Sequence, residues 1–312
     1  MRTRVAAWRP AVAGIAEVFH ADFVDHAYPA HTHDAWTLLI VDDGAIRYDL
    51  DRTEHGAVGA AVTLLPPHVA HDGRSATRHG FRKRVLYLDT SVLGEELIGA
   101  AVATPSLPDA ELRDRVHRLH RSLVHPGDVF EAESRLAFVR ERLSGHLRPP
   151  GGPPVSPSDG PGGPPGSRPD TVAGRLRELL DERLTGGITL VEAAATLTAH
   201  PTYLVRAFTR RYGLPPHRYL TGRRIDLARR LLLAGMPPAE VAVAAGFYDQ
   251  AHLTRHFRRY LGVGPARFAA VHRSGGAGPA APSTSRHGRP GVAGNPSGHA
   301  AGLPVPSRLR QR

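Results

Sequence analysis

Two groups of residues in this 312-residue chain have types and spacings that can do chemistry. The first is histidine-rich: His31-x-His33-x-x-Trp36, and later Pro66-Pro67-His68-x-x-His71. Imidazole nitrogens suit zinc, iron, nickel or copper, so His31, His33 and His71 form a conceivable three-histidine site. The second group lies in Pro238 to Phe268, where Gln250, Thr254 and Arg255 can contact base edges. Gln pairs with adenine, and Arg pairs with guanine through two hydrogen bonds.

The second group must sit on a helix-turn-helix. Ala239, Ala242, Val243 and Ala245 are small residues on a short helix that packs closely against another. Gly246 supplies a positive φ for the turn. Asp249 opens the next helix, and Leu253, Phe257 and Leu261 recur at i, i+4 and i+8 as one buried face. The pattern recurs 49 residues earlier, where Leu204-x-Arg206-x-Phe208-x-Arg210 matches Leu253-x-Arg255-x-Phe257-x-Arg259. Thr189 to Glu192 has the form of a capping box, and His200-Pro201 separates the two helices of that unit. Pro216 to Leu233 joins the units and has helical periodicity with a broad apolar face, from Leu220 to Leu232. A helix of that length spans ~27 Å, close to the ~34 Å repeat of the major groove on one face of DNA.

Three motifs, Ala245-Gly246-Phe247-x-Asp249-Gln250-x-His252-Leu253, Gly262-x-Gly264-Pro265-x-Arg267-Phe268 and Pro216-x-x-Tyr219-Leu220, resemble the AraC/XylS family of transcriptional regulators over residues 171–270. The resemblance implies two recognition helices in successive major-groove segments. It implies that Thr202, Val205 and Arg206 face bases from the first, and Gln250, Ala251, Thr254 and Arg255 from the second. Arg210, Arg258 and Arg259 are expected at phosphates or solvent. His200 and Tyr248 depart from the family in standing where a small capping residue is usual.

The N-terminal half reads as β-rich. Trp36 to Val41 is an apolar run, and Asp42-Asp43-Gly44 is a turn signal after which Ala45 to Leu50 alternates as a returning strand. Val58 to Leu65 and Val85 to Leu88 are further strands. With the histidine motifs, Gly44 and Gly56, residues 15–90 resemble a cupin, a β-barrel found as the effector module of this regulator family. The resemblance implies a small-molecule effector pocket lined by His31, His33, His68 and His71, with Trp36 in its wall. Metal-binding cupins usually follow His-x-His with a glutamate, and here Thr37, Leu38 and Leu39 stand in that region. The histidines are therefore read as pocket lining, with no metal and no cofactor expected. Two amphipathic helices follow, over Asp109–Val124 and Glu131–His146, and the resemblance makes them a dimerisation surface as well as a packing one.

Net charge is +11 and unevenly placed. Residues 1–147 hold 17 Lys/Arg against 20 Asp/Glu, whereas residues 171–273 hold 16 against 7. The excess sits on the helix-turn-helix segment, the electrostatic footprint of phosphate binding. The absence of cysteine excludes disulfides and suits a reducing cytoplasm. No apolar run approaches the ~20 residues of a membrane helix, and the N-terminus is a poor signal peptide.

The expected organisation is a cupin-like β-barrel with two helices over 1–147, a disordered Pro/Gly linker over 148–170, an all-α double helix-turn-helix over 171–273 and a disordered basic tail over 274–312. The expected function is a cytoplasmic, non-enzymatic regulator that binds promoter or operator DNA. A small molecule would control it as a homodimer that can work with RNA polymerase. A cupin metalloenzyme with a DNA-binding appendage is the alternative, and the missing glutamate weighs against it. A nonspecific binder would not need two rigidly spaced recognition helices.

Overall fold

The computed structural model describes residues 3–124, 127, 129–148 and 171–274. The expected linker over 148–170 lies outside the described residues apart from Arg148. The expected basic tail does so apart from Ser274.

The N-terminal half is built from β1 (Arg4–Trp8), β2 (Ile15–Phe23), β3 (Ala27–His31), β4 (Trp36–Leu50), β5 (Thr53–Val58), β6 (Val62–Leu65), β7 (His71–Ser75) and β8 (Phe81–Leu88). A short 3-10 turn, α1 (Ile98–Ala103) and the two-residue β9 (Ser106–Leu107) lead to α2 (Ala110–Ser122) and α3 (Val129–Leu147). Strands β1-β2-β8-β4-β6-β9 form one antiparallel layer, and β3-β7-β4-β5 form the other.

Strand β4 belongs to both layers, which corrects one sequence expectation. Asp42-Asp43-Gly44 is not a turn between strands. Trp36 to Gly44 pairs with β8, and Ala45 to Leu50 continues onto β5 and β7 after a register shift between Val41 and Asp43. Gly44 takes φ +72°, and a Cβ there would lie 2.2 Å from the Gly80 carbonyl oxygen. A bulge with a left-handed glycine bends a strand without ending it. The reversal comes later, at Asp51 (φ +45°) and Arg52 (φ +70°), the two positive φ values of a tight two-residue hairpin. Strand β7, which carries His71, has no apolar alternation and was not expected as a strand.

The β-rich half buries two faces. Trp36, Leu38, Ile40, Leu64, Leu86 and Leu88 pack against Leu112, Val116, Leu119, Leu136, Val139 and Leu143 of α2 and α3. This is the apolar stripe that the helix periodicity predicts. The opposite face, with Phe19, Phe23, Leu39, Leu50, Val85 and Tyr87, forms one continuous cluster with residues from the C-terminal helices.

Those helices are α4 (Val172–Glu182), α5 (Leu190–Thr196), α6 (Pro201–Tyr212), α7 (Pro216–Leu233), α8 (Pro238–Ala244), α9 (Gln250–Leu261) and α10 (Pro265–Ser274). Helices α5 and α6 form the first helix-turn-helix, with α4 completing its core around Leu176, Leu180, Leu204 and Phe208. Helices α8 and α9 form the second, joined through Gly246 at φ +77°. The capping box at Thr189 and Glu192 is formed in full. Of the small residues expected to pack closely, Ala242 of α8 and Ala245 just after it are buried, whereas Ala239 and Val243 are exposed.

Candidate functional site: two recognition helices and a histidine cluster at the barrel–helix seam

Each recognition helix is held at both ends. Helix α6 starts at His200, whose Nδ1 accepts from the Thr202 amide at 3.3 Å, and stops at Gly213 with φ +75°. Helix α9 starts at Asp249, which accepts from the His252 amide at 2.6 Å, and stops at Gly262 with φ +70°. The two departures noted in the sequence therefore leave neither helix uncapped: His200 does the capping itself, and Asp249, not Tyr248, is the cap of α9.

On α6, Thr202, Arg206 and Arg210 are exposed and Val205 is half-buried, while Leu204, Ala207 and Phe208 are buried. On α9, Gln250, Ala251, Arg255, Arg258 and Arg259 are exposed and Thr254 is half-buried, while Leu253, Phe257, Tyr260 and Leu261 are buried. The candidate readers thus lie off the buried stripe on both helices. Thr202 and Gln250 begin their helices, where a recognition helix meets base edges. Arg210 has one tie to the barrel, since the Arg52 guanidinium donates to its backbone carbonyl.

The histidines come together at the barrel end that faces α7. His31 and His71 are direct register partners across β3 and β7. His33 follows two residues after His31 on the way into β4. His31 Nε2 and His33 Nε2 are 3.1 Å apart, and the His71 ring centroid lies 4.5 Å from that of His31 and 5.2 Å from that of His33. One ring nitrogen of each lies within 4.8 Å of the others. Burial, then the neighbouring imidazoles, hold His31 far below the usual histidine range. The same causes push His71 down to about 3.

Two of the five expected pocket residues are placed elsewhere. Trp36 is fully buried in the core beneath α2 and α3, where its indole N–H donates to the Leu93 carbonyl at 2.7 Å. Trp36 opens β4 opposite Leu88 of β8, and both side chains lie on the face toward α2 and α3. His68 donates its backbone N–H to the His33 carbonyl, but its side chain sits at the rim, 3.8 Å from Asp34.

Sequence reasoning missed the residues that close this end. Helix α7 presents Asp226 and Arg229, which are both buried. Asp226 accepts from His33 Nδ1 at 3.0 and 3.2 Å through its two oxygens. Burial pushes the Asp226 carboxyl up, but His33, Arg229 and Arg223 outweigh it and hold the group below the usual carboxylate range. Arg229 donates to Glu17 of β2 at 2.6 Å and lies 4.4 Å from the Tyr87 ring centroid. Glu17 goes the other way: burial raises its pKa despite Arg229. Lys83 lies 4.1 Å from the Tyr28 ring centroid, and burial lowers its amine to about 7. A signal did exist for these residues. Glu17 interrupts the apolar run Ile15 to Phe19, and Asp226 and Arg229 interrupt the apolar side of α7 one turn apart.

Between these groups lies a cavity of about 20 Å³, bordered by Tyr28, His31, His33, Asp226, Arg229 and Tyr260. The expected effector pocket is therefore nearly filled by side chains of the DNA-binding segment. A far larger groove of about 910 Å³ lies along α3, between Val92, Leu136, Arg140 and Arg148, away from the histidines.

Comparison with known proteins follows the same two-part division. Residues 14–139 match the AraC-like ligand binding domain, and residues 193–270 match a helix-turn-helix domain. The uncharacterized HTH-type transcriptional regulator YbfI of Bacillus subtilis (strain 168) is 32% identical over 245 residues, covering 76% of this chain and 85% of its own length. The chain belongs to the AraC family of transcriptional regulators. The thermoregulatory protein LcrF of Yersinia pestis is 32% identical over 94 residues, 30% of this chain and 35% of its own. Among solved structures, unsaturated fatty acid bound wild-type ToxT from Vibrio cholerae strain SCE256 has a TM-score of 0.52 over 86% of this chain and 95% of that one. At 13% identity the likeness to ToxT is one of fold, an AraC-type sheet domain joined to helical helix-turn-helix units. No helix among the described residues is long and apolar enough to cross a membrane.

Proposed function

We propose that this AraC-family regulator reads a specific DNA site with α6 and α9, and that a small molecule at the barrel–α7 seam controls the reading. The observation that carries the proposal is the position of α7. The helix that spaces the two recognition helices also inserts Asp226 and Arg229 into the barrel end, against His33 and Glu17. Any ligand that changes how α7 seats there changes the relative placement of both recognition helices. A ligand shifts such an equilibrium only through its different affinity for the two seatings. A nearly full cavity implies that an organic effector enters as α7 moves, displacing contacts that α7 now makes. The bound fatty acid of ToxT makes an amphipathic carboxylate one reasonable class to screen, and the lowered Lys83 amine is a group that could meet it.

In this reading Thr202, Val205, Arg206, Gln250, Ala251, Thr254 and Arg255 contact bases, and Arg210 and Arg259 contact phosphates. The functional unit is a cytoplasmic homodimer, with α2 and α3 available as its interface and Phe130 and Phe138 exposed on α3. RNA polymerase is a further partner at the promoter. Selection of binding sites from a random duplex library tests the first half. A two-part operator with half-sites spaced by about one helical turn is expected, and a featureless library would overturn specific reading. Repeating the binding with a panel of small carboxylates tests the second half.

A further inference from the structure

We propose that His31, His33 and His71 hold one divalent transition-metal ion of the zinc class. In the same proposal Asp226 of α7 completes the site from outside, so that metal binding and seating of the DNA-binding segment reinforce each other. The hydrogen bonds decide which nitrogens are free. His31 Nδ1 lies 2.7 Å from the Pro29 carbonyl oxygen, and His71 Nδ1 lies 3.0 Å from that of Val69. A carbonyl only accepts, so each ring carries its proton on Nδ1. His33 Nδ1 faces the Asp226 carboxylate in the same way. All three neutral rings therefore offer Nε2 as a lone pair.

Lone pairs from His31 and His33 then face each other across 3.1 Å. A second proton on His33 would serve His31 alone, whereas a metal ion serves all three rings. Tetrahedral zinc with Zn–N bonds of ~2.0–2.1 Å sets its ligand nitrogens ~3.3 Å apart. One ring nitrogen from each of the three residues lies within 4.8 Å of the others, and side-chain movement would bring them to that spacing around an ion. The adjoining cavity of about 20 Å³, bordered by His31 and His33 but not by His71, has room for a water beside the ion. Tyr28 borders the cavity with its hydroxyl buried and without a hydrogen-bond partner, so a water on the ion's fourth position has a group to meet.

Backbone carbonyls and a carboxylate on the far ring nitrogens are the outer shell that orients metal-binding histidines. Here the carboxylate comes from the DNA-binding segment, which answers the missing glutamate after His33. An ion on Nε2 makes the His33 Nδ1–H a stronger donor to Asp226, and by linkage a seated Asp226 tightens the ion. The proposal does not depend on which organic effector the protein takes.

The test is a Co²⁺ titration of the full chain stripped with chelator, followed by visible absorption, with Zn²⁺ competition for affinity. One ion per chain with a tetrahedral cobalt band is expected. His31→Gln and His71→Gln should each abolish the band. Asp226→Asn should keep the stoichiometry and weaken binding ~10–100-fold. Circular dichroism checks that each variant is folded, and if one histidine variant is not, the other decides. Failure of the wild-type chain to bind one ion overturns the proposal, as does a band unchanged in a folded histidine variant. Unchanged affinity in Asp226→Asn overturns the coupling to α7.

Discussion

Replacing Arg229 by Met isolates the contact between the barrel and the helix that spaces the recognition helices. Methionine fills similar space along the Tyr87 and Phe19 rings, so the change is chiefly one of charge. Arg229 and Glu17 side chains are 4% and 7% exposed and 2.6 Å apart, so solvent does little to screen them. Removing one partner leaves the other charge buried without compensation, which costs about 3–5 kcal/mol. Glu17→Gln with Arg229→Met should recover part of the loss, because Asp226, 3.5 Å from Arg229, still loses a buried partner in the double variant. The pH dependence has a definite sign. A carboxyl whose pKa is raised on folding favours the folded state while protonated and loses that contribution as pH rises through the raised value. Without Arg229 that rise is larger, so the difference between variant and wild type should be smallest near pH 5 and largest near pH 7. Urea unfolding at both pH values gives the stabilities, and hydrogen exchange of the α7 amides tells local unseating from global unfolding. A single variant within ~0.5 kcal/mol of wild type at pH 7 would refute the reasoning. So would a double variant less stable than the single.

Further outcomes follow from other groups. Arg255→Ala should cost ~1–3 kcal/mol on the preferred DNA site and relax one base position. Arg259→Ala should weaken all sequences alike and lower the salt slope by ~1, both read from site-library binding across a salt series. In the chelator-stripped chain, the lowered His31 and His71 pKa values mean that the unfolded state binds more protons below about pH 6.5, so stability should fall as pH drops from there toward the folded value, about 3 for His71. His71→Gln should flatten that slope by up to ~1.4 kcal/mol per pH unit, measured as denaturation midpoints between pH 7 and pH 5. Gly44→Ala should destabilise the fold by at least ~1–3 kcal/mol, the cost of a left-handed non-glycine residue, because its methyl group would also strike the Gly80 carbonyl. A melting temperature equal to wild type would remove the bulge argument.

The double helix-turn-helix was legible because its information is local. Caps at Thr189 and Asp249, the glycines at 246 and 262, and apolar residues at helical spacing each act within a few residues of themselves. The 49-residue repeat made the reading redundant. The amphipathic helices α2 and α3 were legible for the same reason. The barrel was harder to read. Asp42-Asp43-Gly44 has the composition of a turn, and only the partners on either side, β8 and then β5 and β7, make it a bulge in a continuing strand. Trp36 was placed beside the histidines by proximity in sequence, while its pairing with Leu88 of β8 puts it on the face toward α2 and α3.

By itself the sequence determined the family, the two kinds of module and which residues of α6 and α9 stay off the core. The family follows from the resemblance of its motifs, and the modules and exposed faces follow from backbone propensity and periodicity, which act at short range. Only the tertiary structure decided that His31, His33 and His71 meet, that Asp226 and Arg229 close over them, and that one apolar cluster runs from the barrel into α7–α10. Contacts between residues 193 and 212 positions apart, as in His33–Asp226 and Glu17–Arg229, leave no periodic trace in a chain. Their only local sign is a charge where an apolar residue was due, and that charge becomes intelligible once its partner is in place.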